Sequence, residues 1–390
     1  MRPMKSDFTY DLLIIGGGIS ACVFASKYLK NNIKKKIALI EIGRGLGGRS
    51  STRVSKRYKG WKLNHGSPNL NITNNNNHLL KSYIDELIEN KFIKIDDSDI
   101  FILNEDSNLE TIKKSEFSCG VNYLSLDSMS QLSQNIIELD NLKGKIDFFF
   151  ETLIVDLKFD DKEWVLSSKN GEKFKSKYII CSTNLLLHKR SLKILNIKQI
   201  PLRKAIPKNN DKKVDLILSF LDKQSFTPRL TFLIYTNKNY CYKDFYTKKQ
   251  RYFYLKNNLE SKYKFERIIF QLQDNNKLGI VVHSKNIELI KSYLNAKDEE
   301  VFKQKIITNF NELFKDNSLV NKLTFDEKIS IMSWRASQPS GIAVPLSLQF
   351  IKNYRIGFCG DWFEGGGFGR IEGSILSALI LERKITDLIQ

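Results

Sequence analysis

The sequence has few of the residues from which metal sites, disulfide scaffolds and membrane spans are built. Its five cysteines lie far apart without a C-x-x-C pair, and its four histidines are scattered. This pattern argues against a zinc ribbon or a disulfide framework and fits a reducing cytosol. The most apolar early stretch, residues 12–24, is interrupted by three glycines and is too short to cross a bilayer. The N-terminus lacks the apolar core of a signal peptide. We therefore expect a cytoplasmic protein with no metal site and no transmembrane segment.

Size and composition indicate an ordinary globular protein. A chain of 390 residues can form two lobes, and 42% hydrophobic with 27% charged residues is close to globular averages. The formal net charge of +19 is less ordinary. A basic surface can attract nucleic acid, anionic lipid or phosphorylated small molecules, and charge alone does not choose among them. Lys, Asn and Ile are all abundant and share A/T-rich codons, so a bias in the nucleotide composition of the genome is the simpler explanation of the charge.

The first fifty residues predict a strand, a tight turn, a helix and a second strand. Residues 11–15 form a short apolar run that ends in glycine, as in a buried parallel strand. Residues 19–31 carry apolar side chains at helical spacing and end in Asn-Asn. Residues 36–42 form the second buried strand. Together they predict a βαβ unit.

The turn of this unit has the spacing G-x-G-x-x-G/A. Gly16 permits the turn, Gly18 lets backbone N–H groups approach a pyrophosphate, and the small Ala21 lets the helix pack on the strand. Glu41 ends the second strand, where a carboxylate can bind ribose hydroxyls; the alternative is a solvated charge at a strand end. The pattern predicts a dinucleotide site.

A second glycine cluster, GRGLGGRSSTR, follows at residues 43–53. It resembles the R-x-G-G-R stretch after the βαβ unit of flavin-dependent amine oxidases, phytoene desaturases and renalases. The resemblance implies that Gly47, Gly48 and Arg49 lie near the pyrophosphate and ribityl chain of FAD, with the Arg49 fork on phosphate oxygens. An ordinary basic loop is the alternative.

The segment LNHGSPNLNI at residues 63–72 resembles the D-H-G-A-Q-Y-F-T segment of bacterial renalase-like proteins. His65 and Gly66 match, whereas Asn64 replaces the usual acid and Asn69 lies in a part that departs from the family. The resemblance implies a strand close to the isoalloxazine ring. His65 is either a proton donor there or a structural hydrogen-bonding residue.

The C-terminal segment resembles the part of this flavoprotein superfamily that closes the FAD site. It predicts a short strand, Gly360-Asp361, a glycine-rich loop and a helix from about Ile371. By resemblance, Asp361 holds ribityl or phosphate-side hydroxyls. Glu372 and Gly373 match the V-E-G of the last helix, whose N-terminal N–H groups face flavin N1 and the C2 carbonyl.

Upstream, SWRASQPSG resembles the W-R-Y-A-x-P segment of the family, which implies that Trp334 forms a pocket wall near the flavin ring. An ordinary core tryptophan is the alternative. No cysteine lies where covalently flavinylated members attach the cofactor. The resemblance therefore implies noncovalent FAD.

The middle of the chain carries no nucleotide motif. Residues 117–137 resemble the family's third Rossmann helix, with Met129 and Leu132 on its apolar face, and strand-like runs over 145–183 match a β-meander and the last core strand. Residues 215–221 are predicted as a strand and 285–294 as a helix. Residues 247–267 mix basic and aromatic side chains, which we interpret as a solvated amphipathic face rather than an RNA-stacking surface.

These observations predict an α/β protein with a two-lobe FAD-binding Rossmann-type fold, a parallel sheet plus a β-meander, and a mixed α+β substrate lobe. The predicted FAD-binding domain comprises residues 1–72, 117–183 and 331–390. The predicted substrate lobe comprises residues 73–116 and 184–330. Both are discontinuous in sequence.

The resemblance implies a renalase-like member of the flavin-dependent amine oxidase superfamily, which is an FAD-dependent oxidoreductase. It would take a hydride from a small molecule, such as an isomeric dihydronicotinamide dinucleotide, and oxygen would reoxidise the flavin. An amine oxidase, a desaturase of an apolar substrate and a noncatalytic flavin-binding or redox-sensing protein are the alternatives. The sequence assigns no catalytic residue and gives no reason to expect a nucleic-acid partner.

Overall fold

The computed structural model describes residues 8–55, 60–74, 76–103, 109–111, 120–139, 144–236, 250–273, 278–315 and 329–389. Some residues that the sequence analysis discussed lie outside these ranges: Cys119, Cys241, residues 117–119 and residues 247–249. The strands are β1 (Thr9–Ile15), β2 (Ile37–Ile40), β3 (Thr52–Val54), β4 (Lys62–Asn64), β5 (Leu70–Ile72), β6 (Ile93–Ile95), β7 (Asp99–Leu103), β8 (Leu109–Thr111), β9 (Val121–Ser125), β10 (Ile146–Phe149), β11 (Ile154–Asp160), β12 (Glu163–Ser168), β13 (Lys173–Cys181), β14 (Ser225–Tyr235), β15 (Gln250–Leu255), β16 (Arg267–Leu272), β17 (Leu278–Ser284), β18 (Ser330–Ser340), β19 (Phe350–Ile351) and β20 (Ile356–Phe358). The helices are α1 (Ile19–Asn31), α2 (His78–Glu89), α3 (Met129–Glu138), α4 (Arg190–Leu195), α5 (Pro201–Ala205), α6 (Lys212–Asp222), α7 (Asn257–Tyr263), α8 (Ile287–Leu294), α9 (Glu299–Leu313) and α10 (Ile371–Ile389).

The first sheet has the strand order β10-β2-β1-β13-β12-β11, with β20 also paired to β13. Strands β10, β2, β1, β13 and β20 are parallel to their neighbours in this core. The antiparallel pairs β11–β12 and β12–β13 form the meander. The predicted parallel sheet plus β-meander is therefore confirmed.

Both faces of the first sheet are covered, which explains the continuous apolar runs of its strands. Alternate residues of β1 point to opposite faces: Leu12 and Ile14 join one core cluster and Leu13 and Ile15 the other. Helices α1, α3 and α10 pack in the first cluster. The sequence prediction of α1 over residues 19–31 is confirmed, and so is the burial of Met129 and Leu132.

The second sheet has the strand order β18-β14-β17-β16-β15-β7-β8. Its apolar face, with side chains such as Phe232, Val282 and Phe253, packs with α8 and α9. Residues on the opposite face alternate with these. Their cross-strand register places Thr231 opposite His283 and His283 opposite Arg267. A polar row therefore crosses the face that lacks these helices.

Two sequence predictions about the middle of the chain are wrong. Residues 215–221, predicted as a strand, belong to α6, where Val214, Leu218 and Leu221 are buried at helical spacing. The N-terminal capping by Asp211 favours this helix over a strand. Part of the 247–267 segment is the interior strand β15 rather than a solvated face, because its aromatic side chains pack against the neighbouring strands. The predicted helix at 285–294 is confirmed as α8.

Packing departs from the predicted division into lobes at three places. Helix α2 lies in the predicted substrate lobe, yet it packs in the same core cluster as α1 and α10. Helices α5 and α6 pack with the first sheet, and β18 pairs with β14 of the second sheet. Among the described helices, none is long and apolar enough to cross a membrane.

Candidate functional site

A cavity of about 790 Å³ runs from the first sheet to the second. Its first part lies where β1, β2, β13 and β20 end, and residues such as Gly16, Glu41, Ser182 and Gly360 line it there. The carboxyl ends of parallel strands are the usual ligand site of an open α/β sheet. Its second part is lined by the polar row of the second sheet. One cavity therefore joins the predicted cofactor residues to the second sheet.

The first glycine turn is built to bring the backbone close to a ligand. Gly16 has φ of +101°, a conformation that L side chains rarely adopt. A Cβ added at Gly18 would meet no atom within 4 Å, and Gly18 lines the cavity. The first turn of α1 has no side-chain cap, so its N–H groups are available to an anion. Ala21 is fully buried against the sheet core, as predicted.

The second glycine cluster packs directly on the first. The N–H of Gly47 donates to the Gly17 carbonyl oxygen at 2.9 Å, and Gly18 forms a β-bridge with Gly47. Gly48 has φ of +54°, and a Cβ there would lie 3.1 Å from the Cα of Gly18. The close approach of two backbones therefore explains why both turns are rich in glycine.

Glu41 holds the two loops that begin after β1 and β2. Its carboxylate accepts hydrogen bonds from the N–H of Gly17 at 2.5 Å and of Gly43 at 2.6 Å. Each carboxylate oxygen has a further lone pair, and Glu41 lines the cavity. The carboxylate thus orders the glycine turn itself, and its contact with a ribose stays a prediction.

Arg49 and Asp361 form an ion pair with each other. Two hydrogen bonds of 2.6 and 2.7 Å join the guanidinium to the carboxylate, and Arg49 also donates to the Ser337 carbonyl oxygen at 3.1 Å. Asp361 is buried, whereas the side chain of Arg49 keeps 41% of its surface exposed. The sequence assigned the two side chains to different groups of a cofactor. The structure links the second glycine turn to the C-terminal loop through them, and their contacts with a cofactor stay predictions.

Arg190, which the sequence analysis did not single out, lines the same part of the cavity. Its Nη2 donates to the neutral Oδ1 of Asn184 at 2.5 Å, and its guanidinium lies over the Phe226 ring. Burial, then Arg49, lowers the pKa of Arg190 to about 10, although Asp361 opposes this. No carboxylate of the described residues forms an ion pair with it. Arg190 is therefore a cation available to a ligand.

His65 and Trp334 stack at the boundary between the two parts of the cavity. Their ring centroids are 5.3 Å apart, and both residues line the cavity. The Trp334 Nε1–H donates to Thr231 Oγ1 at 3.2 Å. Burial, then Arg53, lowers the pKa of His65 to about 4, so the ring is neutral at pH 7. Gly66 allows close packing, since a Cβ there would lie 1.9 Å from the Arg49 carbonyl oxygen.

The C-terminal residues have mainly architectural contacts. Glu372 is buried, and its carboxylate accepts from the N–H groups of Thr73 at 3.1 Å and Asn74 at 2.7 Å and pairs with Arg370. A Cβ on Gly373 would lie 2.3 Å from the Gly367 carbonyl oxygen. Neither Glu372 nor Gly373 is among the described residues that line the cavity, although the adjacent Ile371 and Ser374 are.

A cluster of charged and polar side chains lines the second part of the cavity. It lies on β14, β16 and β17 and in the residue before β16, and it comprises Arg229, Thr231, Glu266, Arg267 and His283, here called the lobe wall. Sequence reasoning missed all five. The available signal was weak: polar residues at the ends of apolar strands, as in RIIFQL and LGIVVHS. Among the described residues, no group of three or more His, Cys, Asp or Glu side chains is placed to hold a metal ion.

Comparisons with known proteins agree with this architecture. A family model described as an NAD(P)-binding Rossmann-like domain matches residues 14–87, which contain both glycine turns. A search of curated proteins finds no match.

Solved structures similar to the chain include those of oxidases. A candidate protoporphyrinogen oxidase from Exiguobacterium sp. 255-15 has a TM-score of 0.65 and 12% identity, covering 99% of this chain and 100% of that chain. Cyclohexylamine oxidase from Brevibacterium oxydans IH-35A has a TM-score of 0.66 and 10% identity, covering 98% and 100%. Putrescine oxidase bound to putrescine has a TM-score of 0.63 and 10% identity, covering 98% and 99%. At these identities the likeness shows a shared fold, and the chain has the mixed α/β, Rossmann-containing fold of these oxidases.

Proposed function

We propose that this protein is an FAD-dependent oxidoreductase that oxidises a small molecule in the cavity between its two sheets. The observation that carries the proposal is the continuity of this cavity. It begins at the glycine turns of a Rossmann-like βαβ unit and ends at a polar wall on another sheet. A cofactor at the turns and a substrate at the wall would therefore share one cavity.

The residues around the turns fit a dinucleotide cofactor. The open space at Gly18 and the uncapped N–H groups of α1 suit a pyrophosphate, and Arg190 supplies a positive charge with no carboxylate partner among the described residues. Glu41 and Asp361 line the same space and can accept from hydroxyl groups. The structural likeness to putrescine and cyclohexylamine oxidases supports a flavin cofactor, and the resemblance of the glycine motifs favours FAD, held noncovalently.

Bound FAD would supply a hydride acceptor that oxygen can reoxidise. The chain itself needs to position the substrate and exclude water more than to provide a strong acid or base. The neutral His65 ring and its stacked partner Trp334 suit this task, because they form a rigid wall where the two parts of the cavity meet. No residue is assigned a catalytic proton transfer.

For the substrate, we propose a renalase-like donor such as an isomeric dihydronicotinamide dinucleotide. The arginines at both ends of the cavity support this choice, because such a donor is anionic. An amine, an apolar substrate of a desaturase and a noncatalytic role are the alternatives. One measurement separates the dinucleotide and the amine from each other and from the last two alternatives.

The test is an anaerobic titration of the purified protein. We expect flavin absorbance as isolated, and bleaching by isomeric dihydronicotinamide dinucleotides but not by putrescine or cyclohexylamine. Protein that cannot be loaded with flavin would contradict the whole proposal. Bleaching by amines alone would replace the dinucleotide with an amine substrate. Bound flavin that none of these donors reduces would favour a desaturase of an apolar substrate or a noncatalytic role.

A further inference from the structure

The lobe wall carries an excess positive charge that faces the cavity. Arg229 is neutralised, since its Nε and Nη2 donate to the two carboxylate oxygens of Glu266 at 2.9 and 2.8 Å. Burial opposes the ionisation of Glu266, but Arg267 and then Arg229 outweigh it and hold its pKa below the ordinary value. Two arginines thus share one carboxylate. The neighbouring Glu260 does not offset this charge, because it pairs with Lys285 at 3.3 Å. Lys285 also lies 3.9 Å from Glu266.

Arg267 is held by a neutral partner. Its Nε and Nη2 lie 3.2 and 3.0 Å from Nδ1 of His283. A guanidinium has no acceptor, so Nδ1 must accept and the neutral imidazole carries its proton on Nε2. Burial, then Arg267 and Arg229, keeps the pKa of His283 well below its ordinary value. The contact therefore orients Arg267 without neutralising it.

One donor group of Arg267 remains available. Among the described residues, its Nη1 has no hydrogen-bond partner, and Arg267 is half-buried and lines the cavity. The register of the sheet fixes its position, because Arg267 lies opposite His283 on β17 and opposite Tyr254 on β15. The tyrosine also lines the cavity. A cation, a neutral support and an aromatic ring thus lie side by side on a rigid sheet.

We propose that Arg267 binds an anionic group of the substrate, a carboxylate or a phosphate, and that His283 positions it. This inference rests on the proposed function and narrows its substrate to anionic compounds. A protonated amine would meet an uncompensated positive charge at the lobe wall and an exposed Arg335 beside Trp334. The cavity therefore discriminates against the cationic substrates that the named amine oxidases suggest.

The test uses three ligands of similar shape and different charge: benzoate, phenyl phosphate and benzylammonium. Binding to the flavin-loaded protein is measured by calorimetry at pH 7. We expect at least one anion to bind tenfold or more tightly than benzylammonium. Comparison of the affinities for benzoate and phenyl phosphate distinguishes a carboxylate site from a phosphate site. Equal or tighter binding of the cation would overturn the inference, whether or not any variant folds.

Two variants locate the anion site. Arg267→Met should weaken anion binding at least tenfold, and Arg267→Gln, which keeps a polar side chain, should do the same. Arg383→Met removes one positive charge from an exposed position on α10, outside the described lining of this cavity, and should leave anion binding unchanged. Folded Arg267 variants that bind anions like the wild type would overturn the assignment.

Flavin absorbance is recorded on every sample before ligand is added. A protein without flavin would contradict the proposed function. A flavin-loaded protein that prefers the cation would overturn the inference about Arg267 and the choice of an anionic substrate, and would leave the FAD-dependent oxidoreductase in place.

Discussion

Arg49 and Asp361, 312 residues apart in sequence, form a two-point ion pair at the wall of the cavity. Arg49 belongs to the second glycine turn and Asp361 follows β20, so this contact ties the two ends of the chain together at the predicted cofactor site. Arg190 lies close enough that both residues affect its pKa. Asp361 therefore compensates a local concentration of positive charge.

Asp361→Asn should destabilise the protein. The substitution leaves Arg49 and Arg190 without their nearby negative charge, and breaking a buried pair costs about 3–5 kcal/mol. Because Arg49 is 41% exposed, solvent screens part of this loss, and we expect a decrease of about 2 kcal/mol in the free energy of unfolding. Urea denaturation measures it.

The matched control for this substitution is Asp160→Asn. Asp160 pairs with Lys158 in an exposed ion pair, which should contribute little. Equal stability of Asp361→Asn and the wild type would mean that Arg49 is compensated in another way.

The sequence predicted the parts of the fold where local pattern and packing agree. The βαβ unit and the C-terminal helix carry continuous apolar runs and glycine turns, and the structure confirms both. Residues 215–221 show the opposite case. Their apolar run, DLILSFL, fits either a buried strand or a helix face, and only the cap at Asp211 distinguishes the two.

The glycine turns that line the first part of the cavity were singled out from the sequence, whereas the lobe wall that lines its second part was missed. Glycine turns have a local signature because backbone conformation is a local property. The lobe wall has none, since cross-strand register alone brings Thr231, His283 and Arg267 together from three strands. The pairing of Arg49 with Asp361 was also invisible, because each side chain taken alone suits a cofactor contact.

Gly18→Val should abolish flavin binding without harming the fold. Residue 18 has φ of −71° and ψ of 173°, which any residue adopts, and a Cβ there meets no protein atom within 4 Å. The added side chain therefore extends into the cavity. We expect a folded, colourless protein by absorbance and circular dichroism.

Gly45→Val is the control for Gly18→Val. A Cβ at Gly45 likewise meets no atom within 4 Å, but Gly45 is not among the described residues that line the cavity. This variant should stay yellow. Full flavin content in Gly18→Val would show that the first glycine turn does not hold the cofactor.

Glu41→Ala should weaken flavin binding at least tenfold and lower stability by about 1 kcal/mol, because the N–H groups of Gly17 and Gly43 lose their acceptor. Glu41→Gln keeps one acceptor oxygen and should give an intermediate affinity. Titration of the apoprotein with FAD measures both. Unchanged affinity in Glu41→Ala would assign the ribose contact to another residue.

His65 should make stability depend on pH below neutrality. Its pKa is about 4 in the folded protein and 6.5 when unfolded, so the unfolded state binds more protons between these values. Stability therefore falls as pH decreases from 6.5 to 4, and the difference between the two pKa values corresponds to about 3 kcal/mol. Above 6.5 this contribution is complete and constant.

His65→Phe keeps an aromatic ring for Trp334 and removes the titrating group. We expect its urea midpoint to fall less steeply than that of the wild type between pH 6.5 and 4.5. All other titratable groups are the same in the two proteins, so the difference reports His65. Parallel pH profiles would mean that His65 is not held neutral by burial.

His283 should act on ligand binding only through Arg267. His283→Asn can place its Oδ1 where Nδ1 accepts, because both atoms are bonded to Cγ, so it should retain most of the affinity for the anion that the wild type prefers. His283→Leu removes the acceptor, frees Arg267 to reorient and should weaken binding at least tenfold. A purely structural role would make both variants less stable and would move the affinities for benzylammonium and the anion alike. A loss confined to the anion in His283→Leu, with recovery in His283→Asn, identifies a positioning residue; equal losses in the two variants contradict that role.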